Sequence, residues 1–478
     1  MTDILEPTTA ADVLFYRPED GWLGDPMPCY HDGRFYVYYQ CDRRDPAPYP
    51  NGAPFGWSLF LTDDLRSGVD FGEVLHKGDP DGAERFLFAG SVIHAEGSFW
   101  AFYTGANRAF DDTEAPAETF RIATSPDGIE WTKHRELTMH SPDGFEKNYF
   151  RDPVVVFDPD LGAYRLLVAG RHDSGPRVRR GCLLEYRSTD LRTWSFEKVL
   201  WSPHTHHLLQ MPDLFRIGDW WYLLYSEYDD QRRTRYRMSR SADGPWIAPQ
   251  DDCFDGRAFY AARTVDVDGR RVIFGWNPTR AHGDDLDPWV WGGNLVAHDV
   301  VQRPDGTLGV RPNPELLDGA FEAPDAEPRS LVLSRDDGYA EEIVVAESST
   351  RFRVDFTMEF VDDTFEFGLK LYENSDADQG YVYLFSPGEH RVRFDMMPNY
   401  PWFQLQNVGL SRPVAQPAGS VHEVTLIVDD DVCVLYVDDI ALSSRMTRRP
   451  GQEVKLYVNG GMVDVRDLVY RDRTIRAD

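Results

Sequence analysis

The chain is predicted to be all-β: a five-bladed β-propeller followed by a C-terminal β-sandwich. Three observations predict this. Five segments repeat one form, a short apolar strand, a turn rich in Asp and Gly, and a strand dense in aromatics. No amphipathic helix of ordinary length interrupts them. After a stretch rich in Pro and acid, the pattern becomes period-two alternation with short turns, which fits strands covered on one face.

The repeats are "CYHDGRFYVYYQ", "VIHAEGSFWAFYTG", "VVVFDPDLGAYRLLVAG", "LFRIGDWWYLLYSE" and "VDVDGRRVIFGWN". Asp-Gly between β-formers is a strong hairpin signal. The first four are followed by a strand, a polar turn and an outer strand, as in "IATSPDGIEWTKH" and "YRSTDLRTWSFEK". Copies recur at roughly 50–65 residues, which suits one four-stranded blade each. The propeller is expected over residues 1–315, a linker over 316–335 ("PDAEPRS" within it), and the sandwich over 336–478.

Composition narrows the function classes. Among 478 residues, 42% are hydrophobic, so a sizeable core is possible. The formal net charge of −30 argues against nucleic acid or an anionic membrane surface as partner, because phosphates would be repelled. Five scattered cysteines without a C-x-x-C pair suggest neither a disulfide framework nor a zinc site. No Gly-rich phosphate loop occurs, and Asp pairs such as Asp284–Asp285 and Asp429–Asp431 read as solvated turns, so neither cofactor nor metal is expected. The N-terminal stretch has no basic n-region or apolar h-region, and no apolar run approaches the roughly 18–20 residues of a membrane span, so a cytoplasmic location is expected.

In a propeller the innermost strands line a funnel, and its mouth is where a site is expected. The inner strands open with "WLGDPMP", "FLFAGSV", "YFRDPVV", "LLQMPDL" and "FYAARTV". Aligning Pro26, Pro153 and Pro212 puts Asp25 and Asp152 at matched posts on two blades. It puts Gln210 one residue earlier on a third, alongside Arg151. Asp-Pro is also ordinary turn chemistry, but two at matched posts with a third polar group favour glycosidic cleavage, which needs two groups at the scissile bond. Trp22, Trp57, Phe88 and Trp276 lie near strand starts, where aromatic faces stack on sugars or fill the propeller core.

These motifs resemble glycoside hydrolase family 32, the invertase and fructanase family. "WLGDPMP" resembles its W-M-N-D-P-N-G motif, "FRDP" its R-D-P motif, "FAGS" its F-S-G-S stretch, and "QMPDLF" sits where the family has E-C-P-D-L-F. The likeness extends to "VNGGMVDVRDLVYR" in the expected sandwich, and "FGWNPTR" and "WGGNLV" are similar to a divergent bacterial branch. The resemblance implies a retaining hydrolase of β-fructofuranosides or a related furanoside. Asp25 would be the nucleophile, Asp152 the transition-state stabiliser, and Gln210 would occupy the acid/base post, about 5–6 Å from Asp25. Trp22, Gln40, Trp57, Phe88, Ser91, Arg151 and Trp276 would contact a small oligosaccharide or furanoside substrate. Leu23–Gly24 and Met27–Pro28 depart from the family's Met-Asn and Asn-Gly at positions that shape the sugar subsite.

Gln210 is the larger departure, because an amide cannot donate a proton as a carboxylic acid does. It stands either for a Glu→Gln substitution, or for a natural residue facing a leaving group that needs no protonation, or for a protein that binds sugar without cutting it. The retained Asp25 and Asp152 favour an enzyme, since a buried carboxylate pair is costly to a pure binding module. A glycoside phosphorylase or transferase would need arginines at the funnel, for which Arg17, Arg151, Arg257 and Arg263 are candidates.

Overall fold

The computed structural model describes residues 7–10, 12–228, 231–324, 327–361, 364–398 and 409–473. Five antiparallel blades follow one another around an axis, the first and last joined into one nine-stranded sheet. Their innermost strands are Trp22–His31, Phe86–Ala95, Phe145–Asp158, Leu209–Ile217 and Tyr260–Val267. The first, second, third and fifth blades carry four strands each. The fourth carries three, with single bridges Met238↔Ile247 and Arg235↔Cys253 at its outer edge. The inner hairpins turn where the repeats place Asp-Gly. Asp32–Gly33 and Asp268–Gly269 both have two successive positive φ values, the geometry a two-residue hairpin turn demands.

The ring closes between the last and first blades, where Gly293 pairs with Leu23 and Leu295 N donates to Tyr16 O at 2.7 Å. Thr8–Ala10 pairs with Gly68–Leu75 on the first blade's rim. A core of Leu23, Val37, Tyr38, Trp57, Leu59, Leu87, Phe274 and Val296 fills the space between these blades.

The second domain is a ten-stranded sheet folded on itself. Its hinge is the long strand Glu453–Asp472, whose first half pairs with Glu366–Asn374 and whose second half pairs with Arg351–Phe360. Strict alternation makes the two layers: in Arg351–Phe360 every second residue is buried, with Phe352, Val354, Phe356, Met358 and Phe360 inside. The segment expected as linker, 316–335, begins in the last turn of a short helix, Pro314–Leu317, and is already strand from Arg329 onward, with residues 325–326 outside the described set.

The two domains share their packing. Ile427, Val432, Val434, Tyr436 and Ala441 of the sandwich lie in the propeller's core cluster. Polar groups fix the register between them. Arg445 Nε donates to Pro278 O at 2.9 Å and its Nη2 to Asn294 Oδ1 at 2.6 Å. Asp429 Oδ2 accepts from Leu14 N at 2.9 Å. Asp285 accepts from the Tyr381 hydroxyl. Asp429 and Asp285 are therefore buried interdomain anchors, which corrects the expectation of solvated turns for these two. Among the described residues no His, Cys, Asp and Glu group has the makings of a metal site, and no helix is long and apolar enough to cross a membrane.

Asp255 is the most enclosed of these anchors. It accepts from Ser443 N at 2.7 Å and from Ser443 Oγ, and pairs with His298 Nε2 at 3.3 Å. Burial alone would raise its pKa, but the contacts from His298 and Ser443 outweigh it and hold the carboxyl below its usual value. Asp255→Ala strands those donors, at about 1–3 kcal/mol each, and is expected to lower the unfolding free energy measured by urea denaturation at pH 7. Because the folded pKa lies below the unfolded one, this stabilisation is complete above about pH 4 and fades as pH falls further, so the gap between the two proteins closes in acid.

Candidate active site

A regular strand points successive side chains to opposite faces, so it cannot by itself aim one down the axis. Each inner strand solves this with a break in register at the same depth. The shifts fall between Gly24 and Met27, Phe88 and Gly90, Arg151 and Val154, Gln210 and Asp213, and Tyr260 and Arg263. The first residue inside the break has positive φ in four of the five: Asp25 at 43°, Asp152 at 56°, Met211 at 49° and Ala261 at 53°. In the remaining blade a Cβ on Gly90 would lie 1.9 Å from Phe102 O. Asp25 and Asp152 thus occupy the post held elsewhere by Ala89, Met211 and Ala261. Gln210 occupies the preceding post, with Gly24, Phe88, Arg151 and Tyr260 as its counterparts.

Three hydrogen bonds tie these posts together. Trp276 Nε1 donates to Asp25 Oδ1 at 3.1 Å. Met211 N, next in chain to Gln210, donates to Asp152 Oδ2 at 3.1 Å. The Tyr260 hydroxyl donates to Gln210 Oε1 at 3.0 Å and also lies 2.9 Å from Glu227 O. Tyr260 and Trp276 meet edge to face with centroids 5.6 Å apart, which links the amide to the first carboxylate. The amide nitrogen of Gln210 makes no hydrogen bond within the described residues.

Electrostatics follow from burial and crowding. Burial, then the neighbouring Asp152, pushes the Asp25 carboxyl up to about 7 against the opposing effects of Trp276, Arg263 and Arg151. Burial pushes Asp152 up to about 6, opposed by Arg151, the Met211 amide and Arg263. Arg151 does not form a closed pair with Asp152. Its Nε donates to Glu118 Oε2 at 3.0 Å, its Nη2 to Glu118 Oε1, and Glu118 also takes the Phe150 amide at 2.8 Å. Beneath the carboxylates the buried Arg263 donates to Asp152 O at 2.9 Å and Pro153 O at 3.3 Å, with Nε and Nη1 unpartnered.

The other residues expected to contact substrate are dispersed. Trp276 is at the centre, on Asp25. Phe88 is buried, with the Arg151 guanidinium 5.4 Å from its ring centroid. Gln40 is buried with its amide on Leu87 O at 3.0 Å. Trp57 is fully enclosed and donates to Phe88 O at 3.1 Å, so its ring faces are packed in the core rather than open. Ser91 lies one layer deeper, on a cavity of about 290 Å³ shared with Met27, Val154, Asp213 and Arg263, where its Oγ accepts from Val155 N at 3.1 Å. Trp22 lines a separate cleft with Arg17, Asp429 and Asp431, flanked by the guanidiniums of Arg17 and Arg44 at 4.8 and 4.7 Å. Two partners escaped the sequence reading. Glu118 sits on a third strand with no local motif. Tyr260 stands second in "FYAARTV", at the post of Gln210, so the blade alignment itself was its signal.

Gly24 explains one departure from the resembled motif. A Cβ there would lie 2.2 Å from the Trp291 ring, which fills that volume and stacks on Phe55 at 5.7 Å and 3°. The wall beside Asp25 is therefore aromatic where the resembled motif has an Asn.

Comparison with known proteins follows the same outline. The model of the glycosyl hydrolases family 32 N-terminal domain matches residues 15–295, more than half of the chain. Sucrose-6-phosphate hydrolase of Escherichia coli is 25% identical over 483 residues, covering 93% of this chain and 91% of that one. Among solved structures, exo-inulinase from Aspergillus awamori superposes with a TM-score of 0.76 at 16% identity, covering 99% of each chain. A Glu→Gln variant of fructan 1-exohydrolase IIa from Cichorium intybus, in complex with 1-kestose, superposes with a TM-score of 0.74 at 16% identity, covering 96% of this chain and 97% of that one.

The raised pKa of Asp25 means that the fold disfavours its charged form. Stability therefore falls as pH rises from about 4, the unfolded value, through about 7. Asp25→Asn is expected to stabilise the protein at pH 8 by on the order of 2–4 kcal/mol, and to leave it unchanged below pH 4. Thermal unfolding of both proteins across this range checks the sign.

Proposed function

The chain belongs to glycoside hydrolase family 32, and on that premise we propose that it cleaves β-fructofuranosides, or a furanoside of similar outline, with retention, using Asp25 as nucleophile. The observation that carries this reading is the set of three hydrogen bonds holding Asp25, Asp152 and Gln210 around one axis.

The chemistry then divides among named atoms. Asp25 Oδ2, the oxygen not held by Trp276, attacks the anomeric carbon and gives a covalent furanosyl ester. Trp276 keeps the other oxygen in place, which fixes the carboxylate plane. Asp152, bound by the Met211 amide, accepts hydrogen bonds from ring hydroxyls as the oxocarbenium ion develops, and its charge stabilises that ion. Gln210 positions the leaving oxygen through its NH2 without supplying a proton. The leaving oxygen departs with the electron pair of the broken bond; water then attacks the anomeric carbon of the ester, the electron pair of the ester bond returns to Asp25, and the water's proton reaches the departed alkoxide through solvent.

Losing a general acid costs about 10²–10⁴ in rate. Gln210→Glu is therefore expected to raise hydrolysis of sucrose by at least about tenfold. An alkaline limb, absent from the parent's pH profile, should appear with it, because the new carboxyl must be protonated to act. An unchanged rate would place the acid elsewhere.

Asp25→Asn removes the nucleophile, so no covalent furanosyl-enzyme should accumulate in mass spectra of protein quenched with an activated fluoride substrate. For the parent, kcat/KM is expected to fall as pH drops below about 7, where Asp25 takes up its proton. Asp152→Asn removes the neighbouring charge, and the Asp25 limb should then move to lower pH.

A further inference from the structure

We propose that the sandwich carries a second sugar site, one that holds a fructofuranosyl unit of an oligomeric substrate without cleaving it. The identity of that sugar rests on the reading above; the site itself rests on its own residues.

The site is a cavity of about 540 Å³ whose lining, among the described residues, belongs wholly to the sandwich. Gln416 lines it and is 1% exposed, yet neither its Oε1 nor its Nε2 has a hydrogen-bond partner. Burying both ends of an amide unpaired costs the desolvation of each, so such a group calls for a partner from outside the chain. The backbone holds the residue in place. Val414 N donates to His390 O at 2.9 Å, which brings the segment carrying Gln416 alongside the turn Pro387–Glu389.

The rest of the wall indicates the chemistry of that partner. Phe365 lines the same cavity and is 71% exposed, the most exposed large apolar side chain among the described residues. Its N donates to Gly460 O at 3.0 Å, so the ring projects from a fixed point of the backbone. An open aromatic face stacks on the apolar face of a sugar ring. Ser386 Oγ and the His390 ring add hydrogen-bonding groups that have no partner among the described residues. The charged residues of the wall are engaged by neighbours: Glu366 with the Tyr457 hydroxyl at 2.8 Å, Arg393 with Asp395 at 2.8 Å, and Glu389 with Arg391. With these charges spent, what remains is an amide, a hydroxyl and an imidazole beside an aromatic ring, which suits a neutral polyol rather than an ion.

Size and placement point to a polymer as the ligand. Small-molecule sites typically enclose about 300–1,000 Å³, and this cavity falls within that range. No described propeller residue lines it, so a sugar held there leaves Asp25, Asp152 and Gln210 free for another unit of the chain. Two sites that engage one polymer raise its effective concentration at each. Sucrose, with a single fructosyl unit, gains nothing from the second site.

The test runs the full chain through native gels cast with inulin or with dextran, on an Asp25→Asn background so that no polymer is consumed. Inulin is expected to retard the protein and dextran to leave it unretarded. Phe365→Ala and Gln416→Met should each weaken inulin binding at least about fivefold, read as the dissociation constant from a concentration series. Gln416→Met also separates binding from folding. Methionine fills a similar volume without unmet polar groups, so Tm should hold or rise while binding falls. With Asp25 restored, both variants should lower kcat/KM for inulin and leave kcat/KM for sucrose unchanged. Binding left unchanged by either variant, a lowered Tm in Gln416→Met, retardation by dextran equal to that by inulin, or no retardation at all overturns the inference, as does an equal loss on sucrose and inulin. Failure of both the parent and Gln210→Glu to cleave sucrose overturns the hydrolase reading alone, because the gels report binding without turnover.

Discussion

The break in register at the propeller axis is the constraint from which the site follows. A positive φ at a residue other than glycine costs roughly 1–2 kcal/mol, and here four residues at one depth adopt it. They are held because strand pairing resumes on both sides of each break. The position after the strained residue has no ladder partner. Proline, which lacks an N–H, therefore loses nothing at Pro26, Pro153 and Pro212. What reads in sequence as a turn signal is, in the fold, a tolerance for proline where the ladder is already interrupted.

Bringing two carboxylates to that axis creates a second constraint, the repulsion between buried like charges. The surrounding arginines answer it without closing on the carboxylates. Arg151 has its fork taken by Glu118, so it acts on Asp152 through its field alone. Arg263 spends one nitrogen on two carbonyls beneath Asp152. A direct bidentate pair would have pulled either acid to a low pKa and covered the oxygens. Instead Asp25 and Asp152 stay near 7 and 6, with their oxygens held by one N–H each. The interdomain anchor Asp255 shows the opposite solution, a carboxylate satisfied by donors, held below its usual pKa and confined to holding the fold.

Most of the architecture was legible because it is written in local codes. Asp-Gly between aromatic strands marks hairpins, and the same mark at even spacing marks blades. Alternation in "RFRVDFTMEF" marks a sandwich strand. The axial posts were legible too, since the three prolines align. What the sequence could not convey is which way a residue faces once a strand bulges. Ser91 and Trp57 follow their strands' alternation into a deeper cavity and into the core. Trp22 sits three residues before Asp25, yet turns to a cluster of guanidiniums near the sandwich. Glu118 reaches Arg151 from 33 positions away, and nothing local announces it. Asp429 and Asp285 looked like solvated turns because their partners lie on the other domain.

The amide at position 210 is the point at which fold and chemistry separate. Its oxygen is held by Tyr260, which stands at the same post one blade further round. A carboxylate would accept that same hydroxyl, so replacing an acid by an amide disturbs no packing and leaves the local network intact. The only property removed is the proton. A site that keeps two buried carboxylates in costly proximity, Asp25 in a strained conformation among them, beside an amide at 210 has not relaxed toward simple binding, since relaxation would first discard the repulsive pair.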